Sequence, residues 1–159
     1  MKMDYVNFIR SKVGHEKIFL NFAAGILPDE FGRILLQKRA DKEVWDFPGG
    51  CMELGEYAVE TLLREFKEET TLEVEPVRFL GAYTNCQVSY PNGDEAQAVG
   101  LIYEVAAKQD LTGIERVKTE ESLELRFFSQ EEIEVLTLEG PHSRAIIEDY
   151  FLGTYPLRR

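Results

Sequence analysis

Apolar positions along the chain repeat with two periods, and the change from one to the other marks its elements. From Asp4 to about Val13, Tyr5, Phe8 and Ile9 recur at helical spacing and Gly14 supplies a stop, which predicts a first helix. Ile18–Leu27 is a continuous apolar run rich in aromatic and β-branched residues, the pattern of a buried strand. Pro28 to Gly32 (PDEFG) has turn chemistry, and Arg33–Arg39 is predicted to return as its hairpin partner. The following stretch from Trp45 to Gly50 (WDFPGG) holds too much Pro and Gly to extend far as a strand. From Glu56 to about Thr70 the period is that of a helix, with Val59, Leu62, Leu63, Phe66 and Thr70 as its predicted core face. Val74–Tyr90 and Glu95–Ala107 read as two long strands joined at the turn Pro91 to Asp94 (PNGD). Lys108–Glu121 is predicted as an acidic, irregular loop, Leu123–Phe128 as a short strand, Gln130–Val135 as a helical turn and Ser143–Leu152 as a closing amphipathic helix. The order α-β-β-α-β-β-β-α-α predicts a mixed sheet with helices on its faces, one layered α/β unit across 1–159.

Composition narrows the possible functions. Hydrophobic residues make up 44% and charged residues 30%, which gives the chain enough apolar material for a core and argues against disorder. No apolar stretch approaches the roughly 20 residues that span a bilayer, so no membrane partner is expected. Asp4, Asn7, Arg10 and Lys12 interrupt any signal-like apolar core at the N-terminus. Cys51 and Cys86 form neither a disulfide framework nor a zinc spacing, and a reducing cytoplasm is the simplest home for them. The net charge is −11, which excludes a broad basic face for a nucleic-acid polymer. A chain this acidic can handle phosphate only if a bound cation offsets the repulsion.

The segment Gly50 to Leu72 (GCMELGEYAVETLLREFKEETTL) carries the chemistry. At about 100° per residue, Glu65, Glu68 and Glu69 share one arc of the helix while Phe66, Leu62 and Val59 point to a neighbouring arc. Like charges so spaced weaken a helix by a few tenths of a kcal/mol per pair, to about 0.5 kcal/mol. Arg64 lies four residues from both Glu60 and Glu68, but one guanidinium cannot neutralise the cluster. A hard divalent cation such as Mg²⁺ or Mn²⁺, which takes carboxylate, water and phosphate oxygens, can. The glycines after Pro48 let backbone approach such an ion closely. Taken alone, the acidic stripe also fits a solvated helix face, and the glycine loop a plain turn.

The joint spacing resembles the box of the Nudix hydrolase family, G-x5-E-x7-R-E-U-x-E-E-x-G-U with U a bulky apolar residue. Gly50, Glu56, Arg64, Glu65, Phe66, Glu68, Glu69 and Leu72 occupy its positions in order, and Thr71 stands where the family has glycine. A β-branched residue adopts the left-handed turn of that glycine poorly, so the helix exit is the point of departure. The resemblance implies an α/β/α sandwich with a mixed central sheet and the catalytic helix at about 57–70. It further implies hydrolysis of a diphosphate linkage in a small nucleoside diphosphate joined to another group, with Mg²⁺ or Mn²⁺ as cofactor. By position, Glu65, Glu68 and Glu69 become metal ligands, and the Gly49 carbonyl a further one. Arg64 then orients the glutamates, while Glu56 pairs with Arg64 or holds metal through water. Family members often add a glutamate from a later loop as ligand or general base. Among Glu115, Glu120, Glu121 and Glu124, Glu121 is favoured, because Glu121 to Phe128 (ESLELRFF) resembles that segment.

Around the box, Trp45 and Phe47 are candidates for a wall against a base or sugar, with plugging of the sheet edge as the alternative. Arg39 is a candidate phosphate contact. Tyr83 and Tyr90 are candidates to line the pocket on the next strand pair, with core packing the stronger alternative for both. Cys51, His15 and His142 receive no chemistry. Gln87 and Val88 occupy the region where ADP-ribose enzymes of the family carry proline, and Tyr90, eighteen residues past Leu72, leans faintly toward dinucleoside polyphosphates. The competing function is a non-catalytic module of the same fold that binds a nucleotide or nucleotide sugar; such modules usually lose box glutamates, and here all remain. The family is often dimeric, and the terminal helices offer a surface for a homodimer.

Overall fold

A computed structural model of the chain describes residues 4–154 and 157–158. Helix α1 (Tyr5–Val13) is capped by Asp4, whose carboxylate accepts the Asn7 N–H at 2.8 Å, and it ends at Gly14 with φ 63°. Strand β1 (Ile18–Ile26) follows, and after the turn at 28–32 comes β2 (Ile34–Arg39). Two short strands, β3 (Trp45–Asp46) and β4 (Gly49–Cys51), flank Pro48. Helix α2 (Ala58–Thr70) is followed by the long strands β5 (Val74–Ser89) and β6 (Glu95–Ala107). A 3-10 turn at Ile114–Arg116 precedes β7 (Ser122–Phe128), and α3 (Gln130–Glu134), α4 (Pro141–Leu152) and β8 (Leu157–Arg158) complete the described chain.

The strands form two sheets. One has the order β4-β1-β6-β5-β8 and is mixed, since β1 runs parallel to β6 from Ile18↔Ala96 to Ile26↔Glu104 but antiparallel to β4. The other, β3-β2-β7, is antiparallel throughout. The expected hairpin between β1 and β2 is therefore corrected. The turn itself closes, with Asp29 N–H on the Arg33 carbonyl at 2.8 Å and Leu35 N–H on that of Leu27 at 3.0 Å. Beyond it the strands separate into different sheets. The reason lies in the edges: β1 has β4 and β6 on its two sides and β2 has β3 and β7, so neither strand has an edge left for the other.

Successive residues of these strands feed two cores. Ala23, Leu27 and Leu35 pack with Leu62 and Phe66 of α2, whereas Ala24, Ile26, Ile34 and Leu36 pack with Ile146 and Ile147 of α4. Helices on either side of the sheets thus give the α/β/α sandwich, with a mixed sheet as expected. The predicted inner face of α2 needs one correction. Leu63 is exposed, and Thr61, Glu65 and Glu69 are buried instead, because the acidic arc of the helix is covered by the glycine loop rather than by water. The acidic stretch 108–121 also has more order than expected, since Ile114 in its 3-10 turn is buried in the α2 core. No described helix is long and apolar enough to cross a membrane.

Candidate active site

The site forms where β4 lies against α2. Gly49 and Gly50 pair with Ala24 and Ala23 of β1, which brings the loop backbone onto the helix. A Cβ on Gly50 would lie 2.3 Å from the Glu65 carboxyl carbon, and one on Gly49 would lie 2.4 Å from the Ala24 Cβ. Both glycines are therefore required by contact. The Gly49 N–H donates to Glu69 Oε2 at 3.0 Å, and the Gln37 side-chain amide donates to the same oxygen at 2.8 Å. Gln37 is in turn fixed by the Ser122 hydroxyl, which donates to Gln37 Oε1. Gln37 and Ser122 were not singled out by sequence reasoning; the signal was a polar Gln set within the otherwise apolar start of β2.

Arg64 ties the helix entrance to the acidic arc. Its Nε donates to Glu56 Oε1 and its Nη1 to Glu65 Oε1, both at 2.7 Å, while Nη2 reaches the Cys51 carbonyl at 3.1 Å. Glu56 also accepts the Thr61 hydroxyl at 2.6 Å and the Glu53 N–H at 3.0 Å. The Arg64 guanidinium, with these further donors, holds the Glu56 carboxyl down at about 2. Desolvation acts the other way on the inner pair. It raises Glu65 against the pull of Arg64, and it raises Glu69 to about 9, with the Glu65 charge adding to the effect.

Glu65, Glu69 and Glu121 each present a carboxylate oxygen such that all three lie within 4.8 Å of one another. Glu121 comes from the loop before β7 and is exposed, while its partners are buried. Glu68 is not one of this trio. It is turned outward, 3.6 Å from Arg64 Nη1, and lines a neighbouring cavity of about 580 Å³ with Asp4, Glu53, Glu56 and Arg64.

The cavity beside the trio, of about 570 Å³, contains Glu65, Glu69 and Glu121 in its wall together with Gly49, Gly50, Arg39, Phe47 and Tyr90. Arg39 is held by Asp41 through bonds of 3.0 and 2.8 Å. Phe47 is buried, and the Tyr90 ring has the Lys42 ammonium 5.7 Å from its centroid. Trp45 does not line this cavity; its ring packs edge-on against Phe128 at 4.7 Å between centroids. Tyr83 is core, with its hydroxyl donating to Asp149 at 2.8 Å. The Cys51 thiol borders the cavity, but burial pushes it up to about 11, far from a reactive thiolate. His15 pairs with Asp94 at 2.6 Å, and burial pushes His142 below its ordinary value.

A glycine loop, a helix that turns two buried carboxylates toward it and a third carboxylate from a distant loop, all between two helical layers, define a class of α/β/α sandwich. Within that class the chain belongs to the Nudix family: the model of the NUDIX domain matches residues 20–150. A MutT-like protein of Streptomyces ambofaciens is 42% identical over 62 residues, 39% of this chain and 40% of that protein. An RNA pyrophosphohydrolase of Halorhodospira halophila is 40% identical over 57 residues, 36% of this chain and 32% of its own length. The match thus spans less than half the length of these relatives. Among solved structures, a NUDIX hydrolase from Nitrosomonas europaea superposes with a TM-score of 0.70 at 22% identity, covering 87% of this chain and 93% of that one, a likeness of fold.

Proposed function

We propose that this chain is a metal-dependent pyrophosphohydrolase, which breaks the diphosphate linkage of a small nucleotide by attack of water at phosphorus. The observation that carries this reading is the trio of Glu65, Glu69 and Glu121, whose oxygens converge within 4.8 Å although two of the residues are buried. Buried carboxylates so close cannot all ionise without a cation among them. The donor set is all oxygen, which suits Mg²⁺ or Mn²⁺. The name of the Halorhodospira halophila relative points to the same bond class.

In this reading Glu65 and Glu69 hold the metal with the Gly49 carbonyl beside them, Glu121 serves as a further ligand or as the base for the attacking water, and Glu68 would join them only by swinging its exposed side chain in from the neighbouring cavity. Arg64 positions Glu65, and Glu56 holds Arg64. Gln37 and the Gly49 N–H fix the Glu69 carboxylate, so that little reorganisation remains when substrate arrives. The bound cation would neutralise phosphate charge and lower the pKa of a coordinated water. Arg39, Phe47 and Tyr90 line the cavity as contacts for phosphate, base or sugar.

The test is a panel of NTPs, ADP-ribose, NADH and dinucleoside polyphosphates, assayed for nucleotide and phosphate products with Mg²⁺ or Mn²⁺. Hydrolysis of at least one substrate, abolished by EDTA and reduced by orders of magnitude in Glu69→Gln, is expected. Tight nucleotide binding without any product would replace the enzyme by a binding module.

A further inference from the structure

A second polar cluster in the cavity that holds the trio takes no part in that chemistry. Asp46 of β3, Glu139 of the loop before α4 and Ser143 in the first turn of α4 meet there, because Trp45 exchanges backbone hydrogen bonds with 137–139: its N–H donates to Thr137 and its carbonyl accepts from Glu139. Their hydrogen-bonding capacity is unevenly used. Ser143 is fully buried, yet its hydroxyl has no partner of good geometry, although it lies near enough to Asp46 to favour the ionised carboxyl. Glu139 Oε1 accepts from Lys42 at 2.6 Å, while the buried Oε2 has no hydrogen bond and only Arg39 Nε at 3.8 Å. Asp46 Oδ1 accepts the Phe47 N–H at 2.9 Å. Desolvation pushes the Asp46 carboxyl up to about 7. The nearby cations are committed, Arg39 to Asp41 and Lys42 to Glu139.

Buried polar atoms without partners are costly in a folded protein, and in a cavity wall they mark a place where a ligand supplies the missing groups. Glu139 Oε2 lacks a donor, and the Ser143 hydroxyl can both give and accept a hydrogen bond. Apolar side chains, Phe47 and Ile146 among them, line the same space, which suits a flat heterocycle. We propose that Asp46, Glu139 and Ser143 form a subsite for the amino-bearing edge of a nucleobase, selecting cytosine and guanine nucleotides over those of uracil and hypoxanthine. An exocyclic amino group offers two N–H donors to these acceptors, whereas uracil has a carbonyl in its place, which turns lone pairs toward the carboxylates, and hypoxanthine has only a C–H, which leaves the acceptors without a donor. The proposal rests on the reading of the cavity as a nucleotide site and adds the choice of base.

The experiment separates the two. Calorimetric binding of CMP against UMP, and of GMP against IMP, in EDTA at about pH 8.5, where Asp46 is largely ionised, probes the base without phosphate hydrolysis or metal. About tenfold tighter binding of the amino-bearing member of at least one pair is expected. That ratio should fall to within about threefold in Asp46→Asn, whose amide also donates to a carbonyl, and in Ser143→Ala, which removes the buried hydroxyl beside Asp46. Equal binding of both members of both pairs, or a preference that survives both substitutions, overturns the subsite. If the substrate panel shows hydrolysis while the monophosphate ratios stay near one, the enzyme stands and the base selection falls; selective binding without hydrolysis gives the reverse.

Discussion

Thr71 sits at φ 65°, ψ 0°, a left-handed position that a β-branched side chain occupies at a cost of about 1–2 kcal/mol. The exit from α2 is nevertheless closed: the Thr70 hydroxyl donates to the Phe66 carbonyl at 2.6 Å and accepts the Leu72 N–H at 3.1 Å. Thr71 is exposed and makes its backbone bond to Lys67, so its side chain contributes little to offset the strain. Thr71→Gly should stabilise the fold by about 0.5–1 kcal/mol, the relief of strain less the greater chain entropy of glycine, measured by urea unfolding. A loss of stability would mean that the Thr71 side chain holds something else in place. Gly50 is the opposite case, where a methyl group cannot be admitted. In Gly50→Ala the new Cβ must displace a Glu65 carboxylate that Arg64 holds, and Mn²⁺ affinity should fall about 10–100-fold by calorimetry. Unchanged affinity would remove Glu65 from the metal site.

Helix α2 shows how one element serves two masters, and how much of that was legible. Its period revealed the helix, and the spacing of its glutamates revealed the candidate chemistry, because both depend on local repetition. Phe66 is fully buried against Leu62 and the Gly25 backbone, where a Cβ on Gly25 would come within 2.7 Å of the Phe66 ring. Phe66→Ala should cost about 3–5 kcal/mol in chemical unfolding while leaving the carboxylates in sequence place. The periodicity did not reveal that Leu63 faces solvent or that Glu69 is buried. Burial of that arc is decided by β4, which reaches α2 only through its pairing with β1. The separation of β1 from β2 was hidden for a similar reason, since a tight turn looks the same whether the strands beyond it stay together or part. Gln37 meets Glu69 and Ser122 across 32 and 85 residues, and Asp46 meets Glu139 and Ser143 across longer separations still; no local pattern records such meetings.

Across the whole molecule, acid and base limits of stability come from different carboxyls. Glu56 is held at about 2 against an ordinary 4.5, so its contribution is present above 4.5 and disappears as pH falls toward 2. Glu69 is raised to about 9 from 4.5, so its contribution is complete below 4.5 and disappears as pH rises toward 9. Without metal, the melting temperature should therefore decline on both sides, and Mn²⁺ should flatten the alkaline decline by binding the ionised carboxylates. Thermal scans in EDTA between about pH 2 and 9, and in Mn²⁺ over the alkaline half of that range, check this. Glu69→Gln should abolish most of the alkaline decline in EDTA, and a decline that persists in that variant would assign it elsewhere.

The lateral pairing of β1 with β6 has a further consequence, in time rather than in space. Ile18 must wait for Ala96, and Ile26 for Glu104, before the central strands of the mixed sheet can join. Closing so wide a loop is slow compared with winding a helix, so refolding should be governed by this one encounter. On a ribosome, the growing polypeptide would hold its first apolar strand with no mate longer than the three residues of β4 until more than half of its length had been made. Chaperones would have their occasion then, and the acidic pocket would come into being only after that wait had ended.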